Sequence, residues 1–128
     1  MAVDPRGEDL KRFLDHDDGG PVVMLNLLRF ADGKRDSYTE YMRRFAETFA
    51  ERYGVEVLYA GEGSTALVAE AGQAWDAVLL VRYPSRQAFS AMVADPEYRA
   101  ITHLRSDALV EAVLQATTPL PPPRRPSA

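Results

Sequence analysis

Pro21-Val22-Val23-Met24-Leu25-Asn26-Leu27-Leu28-Arg29-Phe30 is the stretch whose reading decides the fold. Its valine content and its length under ten residues predict a β-strand over 22–30. Alternation puts Val23, Leu25, Leu27 and Arg29 on one face. Val22, Met24, Asn26, Leu28 and Phe30 take the other. Both faces are mostly apolar, so both need cover. Helices of the same chain can cover one. The other needs a second layer that a domain of this size has little chain left to build, and a second copy of the sheet would supply it.

Upstream, residues 1–7 read as loose, and Glu8 to Asp15 suit a short helix with Leu10, Phe13 and Leu14 on one side. Asp15-His16-Asp17-Asp18 then runs into Gly19-Gly20-Pro21, which ends any helix. His16 among carboxylates reads as a solvated loop, because adjacent loop positions do not guarantee the convergence a metal ion requires.

Downstream, 31–34 is a turn. Ser37 with Glu40 fits a capping box for a helix that runs to Tyr53, with Gly54 as a left-handed C-cap. Tyr38, Tyr41 or Met42, Phe45 and Phe49 form its apolar stripe. Val55 to Gly61 reads as a second strand, with Val55, Val57 and Tyr59 sharing a face. Thr65 to Ala69 continues it or forms a short extra strand. Trp75 to Tyr83 is a third strand, closed by Pro84. Ser85 can cap the next helix, buried through Ala88, Phe89, Met92 and Val93. Asp95-Pro96-Glu97 starts another, with an acidic cap and proline at N1. Its inner face runs through Tyr98, Ile101, Leu104 or Arg105, and Ala108. A last strand is expected from about Ala112.

This order, strand-helix-strand-strand-helix-strand, is the α+β ferredoxin-like split βαβ pattern (βαββαβ). The expected organisation is an N-terminal extension over 1–20, the ferredoxin-like domain over 21–117, and a proline-rich disordered tail over 118–128.

Composition excludes several classes. The 128 residues suit one domain, and the lack of cysteine removes disulfides and thiolate chemistry. Fifteen Lys and Arg against 19 Asp and Glu leave a formal charge of −4, the wrong sign for a nucleic-acid or anionic-membrane surface. No apolar run approaches the roughly 20 residues of a membrane span. The first residues lack the basic start and apolar core of a signal peptide, so a cytoplasmic location is expected. There is no phosphate-cradling glycine loop, HExxH, serine elbow or Cys-His pair, and Gly61-Glu62-Gly63 is only a fragment of a dinucleotide fingerprint. No metal and no cofactor are expected.

The stretch 21–30, with Tyr38-Thr39-Glu40-Tyr41, Trp75-Asp76, Val81-Arg82-Tyr83-Pro84-Ser85, Ala88-Phe89 to Met92, Asp95-Pro96-Glu97-Tyr98 and Arg105, resembles the domain-of-unknown-function 1330 family over roughly 21–117. The resemblance implies the dimeric α/β-barrel superfamily, hence a homodimer of ferredoxin-like subunits. Related groups include cofactor-free monooxygenases, muconolactone isomerases, polyketide cyclases and haem-dependent enzymes. In many of them the substrate lies between sheet and helices. Carrying a reaction over would be analogy of fold.

Several residues suit chemistry. Asn26 has two donors and an acceptor at a covered strand position, fit to orient a carbonyl or enolate. Arg105 could stabilise an oxyanion. Asp76 or His103 could move a proton. Asn26, Asp76, His103 and Arg105 are therefore the catalytic candidates. Arg29 and Arg82 could hold a carboxylate, Trp75 could wall a pocket, and Tyr41, Tyr59 and Tyr98 could bond a polar ligand, as could Tyr83. The leading expectation is a cofactor-independent enzyme acting on a small carbonyl, phenolic or carboxylate substrate by proton transfer, isomerisation or oxygenation. The alternatives are a non-catalytic small-ligand-binding domain and a structural or regulatory dimer.

Overall fold

The computed structural model describes residues 3–121. Strands β1 (Val22–Phe30), β2 (Glu56–Glu62), β3 (Ala77–Tyr83) and β4 (Leu109–Thr117) form one sheet in the order β2-β3-β1-β4. All its pairings are antiparallel. Helix α1 (Gly7–Asp15) precedes the sheet. Helix α2 (Arg35–Arg44) continues through a π-helical turn at Phe45–Phe49 into α3 (Ala50–Tyr53). Helices α4 (Arg86–Ala94), α5 (Pro96–Arg99) and α6 (Thr102–Ser106) link β3 to β4. This is the ferredoxin-like arrangement.

The first strand sets the layering. Val22, Met24, Asn26 and Leu28 are buried against the helices, in line with Ala77, Leu79, Val81 and Tyr83 of β3. Leu28 and Val22 are fully enclosed. From the helices, Tyr38, Tyr41, Phe45 and Phe49 fill the space above, as the apolar stripe predicts. The opposite face presents Val23, Leu25, Leu27, Val78, Leu80 and Val113, half-buried and covered by no helix of the described residues.

Local chemistry fixes the ends. The hydroxyl of Ser85 accepts from Ala88 N–H at 3.0 Å, and the carboxylate of Asp95 accepts from Glu97 N–H at 2.9 Å, so both expected caps form. Gly54 stops α3 at φ 68°. The Ser37 capping box does not form. Helix α2 starts two residues earlier, at Arg35, and Ser37 Oγ instead donates to the Leu104 carbonyl at 2.8 Å, tying α2 to α6.

Strand β2 also departs from strict alternation. Val57 pairs with Val81 and Tyr59 with Leu80, so the extra residue between them turns Val57 and Tyr59 to opposite faces. Residues 65–69 form no strand, and Leu67 and Val68 are exposed. Gly63 has a packing role rather than a phosphate role. A Cβ there would lie 1.8 Å from the Trp75 carbonyl oxygen, at the point where Gly63 N–H donates to Asp76 O at 2.8 Å. The last strand begins at Leu109, three residues before the expected Ala112. Most of the proline-rich tail, 122–128, lies outside the described residues.

Candidate functional site

A cavity of about 240 Å³ lies between the sheet and the α4–α6 segment. Its walls include Asn26 from the middle of β1, Tyr41 from α2, Tyr83 from the end of β3, Tyr98 from α5 and Arg105 from α6. The spacing Tyr98, Ile101, Arg105, Ala108 follows one helical face, and all four are buried. Arg105 therefore points inward by phase, where the sequence leaves the position open between Leu104 and Arg105.

Arg105 is the only charged side chain among the buried described residues, at 7 % exposure. Its Nη1 donates to the Val3 carbonyl and lies 3.6 Å from Asp4 Oδ1. Its Nη2 is buried and, among the described residues, has no hydrogen-bond partner. A buried unpaired donor costs on the order of 1–3 kcal/mol, so a ligand acceptor there would be welcome.

The tyrosines around it form a phenol cluster. Tyr41 and Tyr98 hydroxyls are 2.6 Å apart. Burial pushes the Tyr38 phenol up to about 12 and raises Tyr41, Tyr83 and Tyr98 above the ordinary tyrosine range, with the Arg105 cation pulling all four back down. These phenols are protonated at neutral pH, so they serve as hydrogen-bond donors or proton donors, not bases. Asn26 donates from Nδ2 to the Met24 carbonyl at 3.2 Å and forms no other side-chain hydrogen bond among the described residues. Arg99 adds a second guanidinium to the lining, and Asp4 is the cavity's one carboxylate. The site is rich in donors and carries net positive charge.

The remaining candidates lie elsewhere. Asp76 lies at the Phe30 end of β1, where Oδ2 accepts from Phe30 N–H at 2.9 Å and closes the end of the central β1–β3 ladder. His103 is exposed on the outer side of α6 and does not line the cavity. Arg29 lies against Trp75, 4.6 Å from the ring centroid, and is held by Glu111 at 3.1 Å and the Gly72 carbonyl at 2.8 Å. That cluster fastens the 72–76 loop to the sheet. Arg82 faces Glu56 at 3.9 Å, and Tyr59 is 56 % exposed, both on the side away from the helices. Asn26, Arg105, Tyr41 and Tyr98 are thus brought together. Asp76, His103, Arg29, Trp75, Arg82 and Tyr59 are not.

Sequence reasoning missed the N-terminal arm. Val3, Asp4 and Pro5 cross the cleft mouth, and nothing in their residue types signals that course. A second and larger cavity, about 710 Å³, lies beside the first and shares Asp4, Pro5, Phe89 and Leu114 with it. Among the described residues no group of three or more His, Cys, Asp and Glu could hold a metal ion, and no helix is long and apolar enough to cross a membrane.

Comparison with known proteins agrees with the fold. A family model described as "Domain of unknown function (DUF1330)" matches residues 27–116. Among solved structures, RPA0582 of Rhodopseudomonas palustris, a protein of unknown function, is 32 % identical, with a TM-score of 0.85 over 94 % of this chain and 98 % of that one. A putative antibiotic biosynthesis monooxygenase from Bacteroides thetaiotaomicron is 24 % identical, with a TM-score of 0.58 over 84 % of this chain and 97 % of that one. A dimeric ferredoxin-like protein of unknown function from Jannaschia sp. CCS1 is 12 % identical, with a TM-score of 0.58 over 77 % of this chain and 99 % of that one. The latter two are likenesses of fold. Among curated proteins none matches the chain.

Proposed function

The chain belongs to the DUF1330 family, and we propose that it is a homodimeric, cofactor-independent domain that binds a small organic molecule through an anionic oxygen. The oxygen is a carboxylate, or an enolate or phenolate that develops charge. The observation that carries this reading is the buried, unpartnered Nη2 of Arg105 in a cavity shared with the Tyr41–Tyr98 pair and Asn26. Donors fixed at the place where charge sits or develops are the usual means of stabilising an oxyanion.

The chemistry that fits is proton transfer or isomerisation next to a carbonyl. Arg105 and Asn26 would polarise the oxygen, and Tyr98, relayed by Tyr41, would deliver a proton. Asp4, bonded by Ser106 Oγ at 2.8 Å, is the carboxylate placed to accept one. Oxygenation of an electron-rich substrate has the weaker support of a shared fold with the Bacteroides protein. The homodimer rests on the uncovered apolar sheet face.

A second reading has its own observation. Neither His103 nor Asp76 reaches the cavity, and Asp4 has a side chain 57 % exposed, so a desolvated base is lacking among the lining residues. That favours non-catalytic ligand binding in the same place.

The test is a thermal-shift panel of benzoate and small 2-oxo acids against their neutral amides, on wild type, Arg105→Met and Asn26→Ala. Stabilisation by the acids alone, lost in Arg105→Met, supports the reading. Equal stabilisation by acids and amides refutes it. Exchange of the substrate's α-hydrogen in deuterium oxide, followed by proton NMR on any acid that binds, separates enzyme from binder.

A further inference from the structure

We propose that the ligand is an amphipathic organic acid, with its head at Arg105 and an apolar body lying in the adjoining 710 Å³ groove beneath α1. This rests on the reading of the Arg105 cavity as an anion site and adds what the rest of the molecule must be.

The groove exists because of three features of the chain. On β4, Ala112, Leu114 and Ala116 pair with Leu28, Asn26 and Met24, so they stand on the helix-facing side at the sheet's edge. Two of these are alanines, which leave depth where larger residues would fill it. Helix α1 stands over this edge, contributing Leu10 and Phe13, with Arg86 and Phe89 of α4 beside it. Phe13 packs edge-to-face with Phe89 at 5.3 Å, and the Arg86 guanidinium lies over its ring at 4.8 Å. The roof is therefore held in place with space below it.

Most of the groove's polar side chains already have partners. Asp9 is bonded by Arg6 and Arg12, His16 Nδ1 faces the Arg12 carbonyl at 2.8 Å, and Arg86 donates to the Phe13 carbonyl at 3.0 Å. Between them runs the apolar wall of Leu10, Phe13, Phe89, Ala112, Leu114 and Ala116. The shared Phe89 and Leu114 join this wall to the Arg105 cavity, so one molecule can occupy both. A volume of this size suits a ligand well beyond a two- or three-carbon acid.

The experiment is isothermal titration calorimetry on the full chain with propanoate, hexanoate, octanoate and decanoate, and with octan-1-ol as the neutral match to octanoate. Affinity should rise about fourfold per added methylene until the groove is filled. Octan-1-ol should bind at least tenfold more weakly than octanoate, and in Ala112→Leu the rise should stop at a shorter chain. A series flat with chain length, with Arg105-dependent binding retained, overturns the apolar body and leaves the anion site standing. Octan-1-ol binding as tightly as octanoate overturns the head assignment. Failure of every acid to bind overturns both.

Discussion

Replacing Arg105 with methionine separates function from stability. The substitution removes a charge-assisted bond to the Val3 carbonyl, worth about 1.5–3 kcal/mol. It also removes the contact with Asp4, whose side chain is 57 % exposed, so that pair contributes at most about 1 kcal/mol. Against these losses stands the relief of the unpartnered Nη2, about 1–3 kcal/mol, and the desolvation of a guanidinium at 7 % exposure. The two sides nearly cancel. Arg105→Met should lie within about 1 kcal/mol of wild type in urea unfolding, about 4 °C in Tm for a chain of this length. The effect on ligand is much larger. An acid at a hundred times its Kd stabilises wild type by about 2.7 kcal/mol, about 10 °C, and the variant should lose nearly all of it. A loss of more than about 3 kcal/mol without ligand would refute the reasoning, since Arg105 would then be a structural keystone. Retention of the acid-induced shift would refute it equally.

Other outcomes follow from the same geometry. Leu28, fully enclosed in the core, should cost about 3 kcal/mol when replaced by alanine, lowering Tm by about 10 °C in a calorimetric scan. Leu25→Glu puts a charge in the middle of the uncovered sheet face and should convert a dimer to a monomer in analytical ultracentrifugation, whereas an unchanged sedimentation coefficient would remove the proposed twin. Tyr38, with its phenol pushed up to about 12, and Tyr41, Tyr83 and Tyr98, also raised, hold their protons more tightly folded than unfolded. Their contribution to stability is complete below the unfolded phenol value near 10, and is lost as pH rises towards about 12. Absorbance of these tyrosinates at 295 nm should therefore appear together with base unfolding. Their ionisation in the intact fold at pH 10 would contradict this.

Much of the fold is legible because burial writes itself as period. The alternation of 22–30 and 77–83 and the stripe Tyr38, Tyr41, Phe45, Phe49 carry the sheet and its helical cover. Local competition hides the rest. The bulge in β2 is one inserted residue, and alternation alone cannot show where the pairing slips. Ser37 matches a capping box, yet its hydroxyl finds a better-placed acceptor on α6 through tertiary contact. Half of the site was readable for the same reason as the fold. Asn26 breaks an apolar row, and Arg105 continues one in helical phase. Asp76 and His103 suit chemistry by residue type alone, and type says nothing of direction. The first lies at the far end of β1, the second on the outside of α6. Val3 and Asp4 approach Arg105 across 102 and 101 positions of chain, a contact no local pattern encodes.

The most direct measurement is the side-chain nitrogen NMR of Arg105 in isotopically labelled protein, titrated with hexanoate and assigned by comparison with Arg105→Met. The account predicts that the Arg105 guanidinium resonances move and that rotation about its Cζ–N bonds slows as the acid saturates the site, while those of Arg29 and Arg82 stay in place. Resonances of Arg105 that stay fixed while those of Arg29 or Arg82 respond would place the anion on the other side of the sheet and contradict the account.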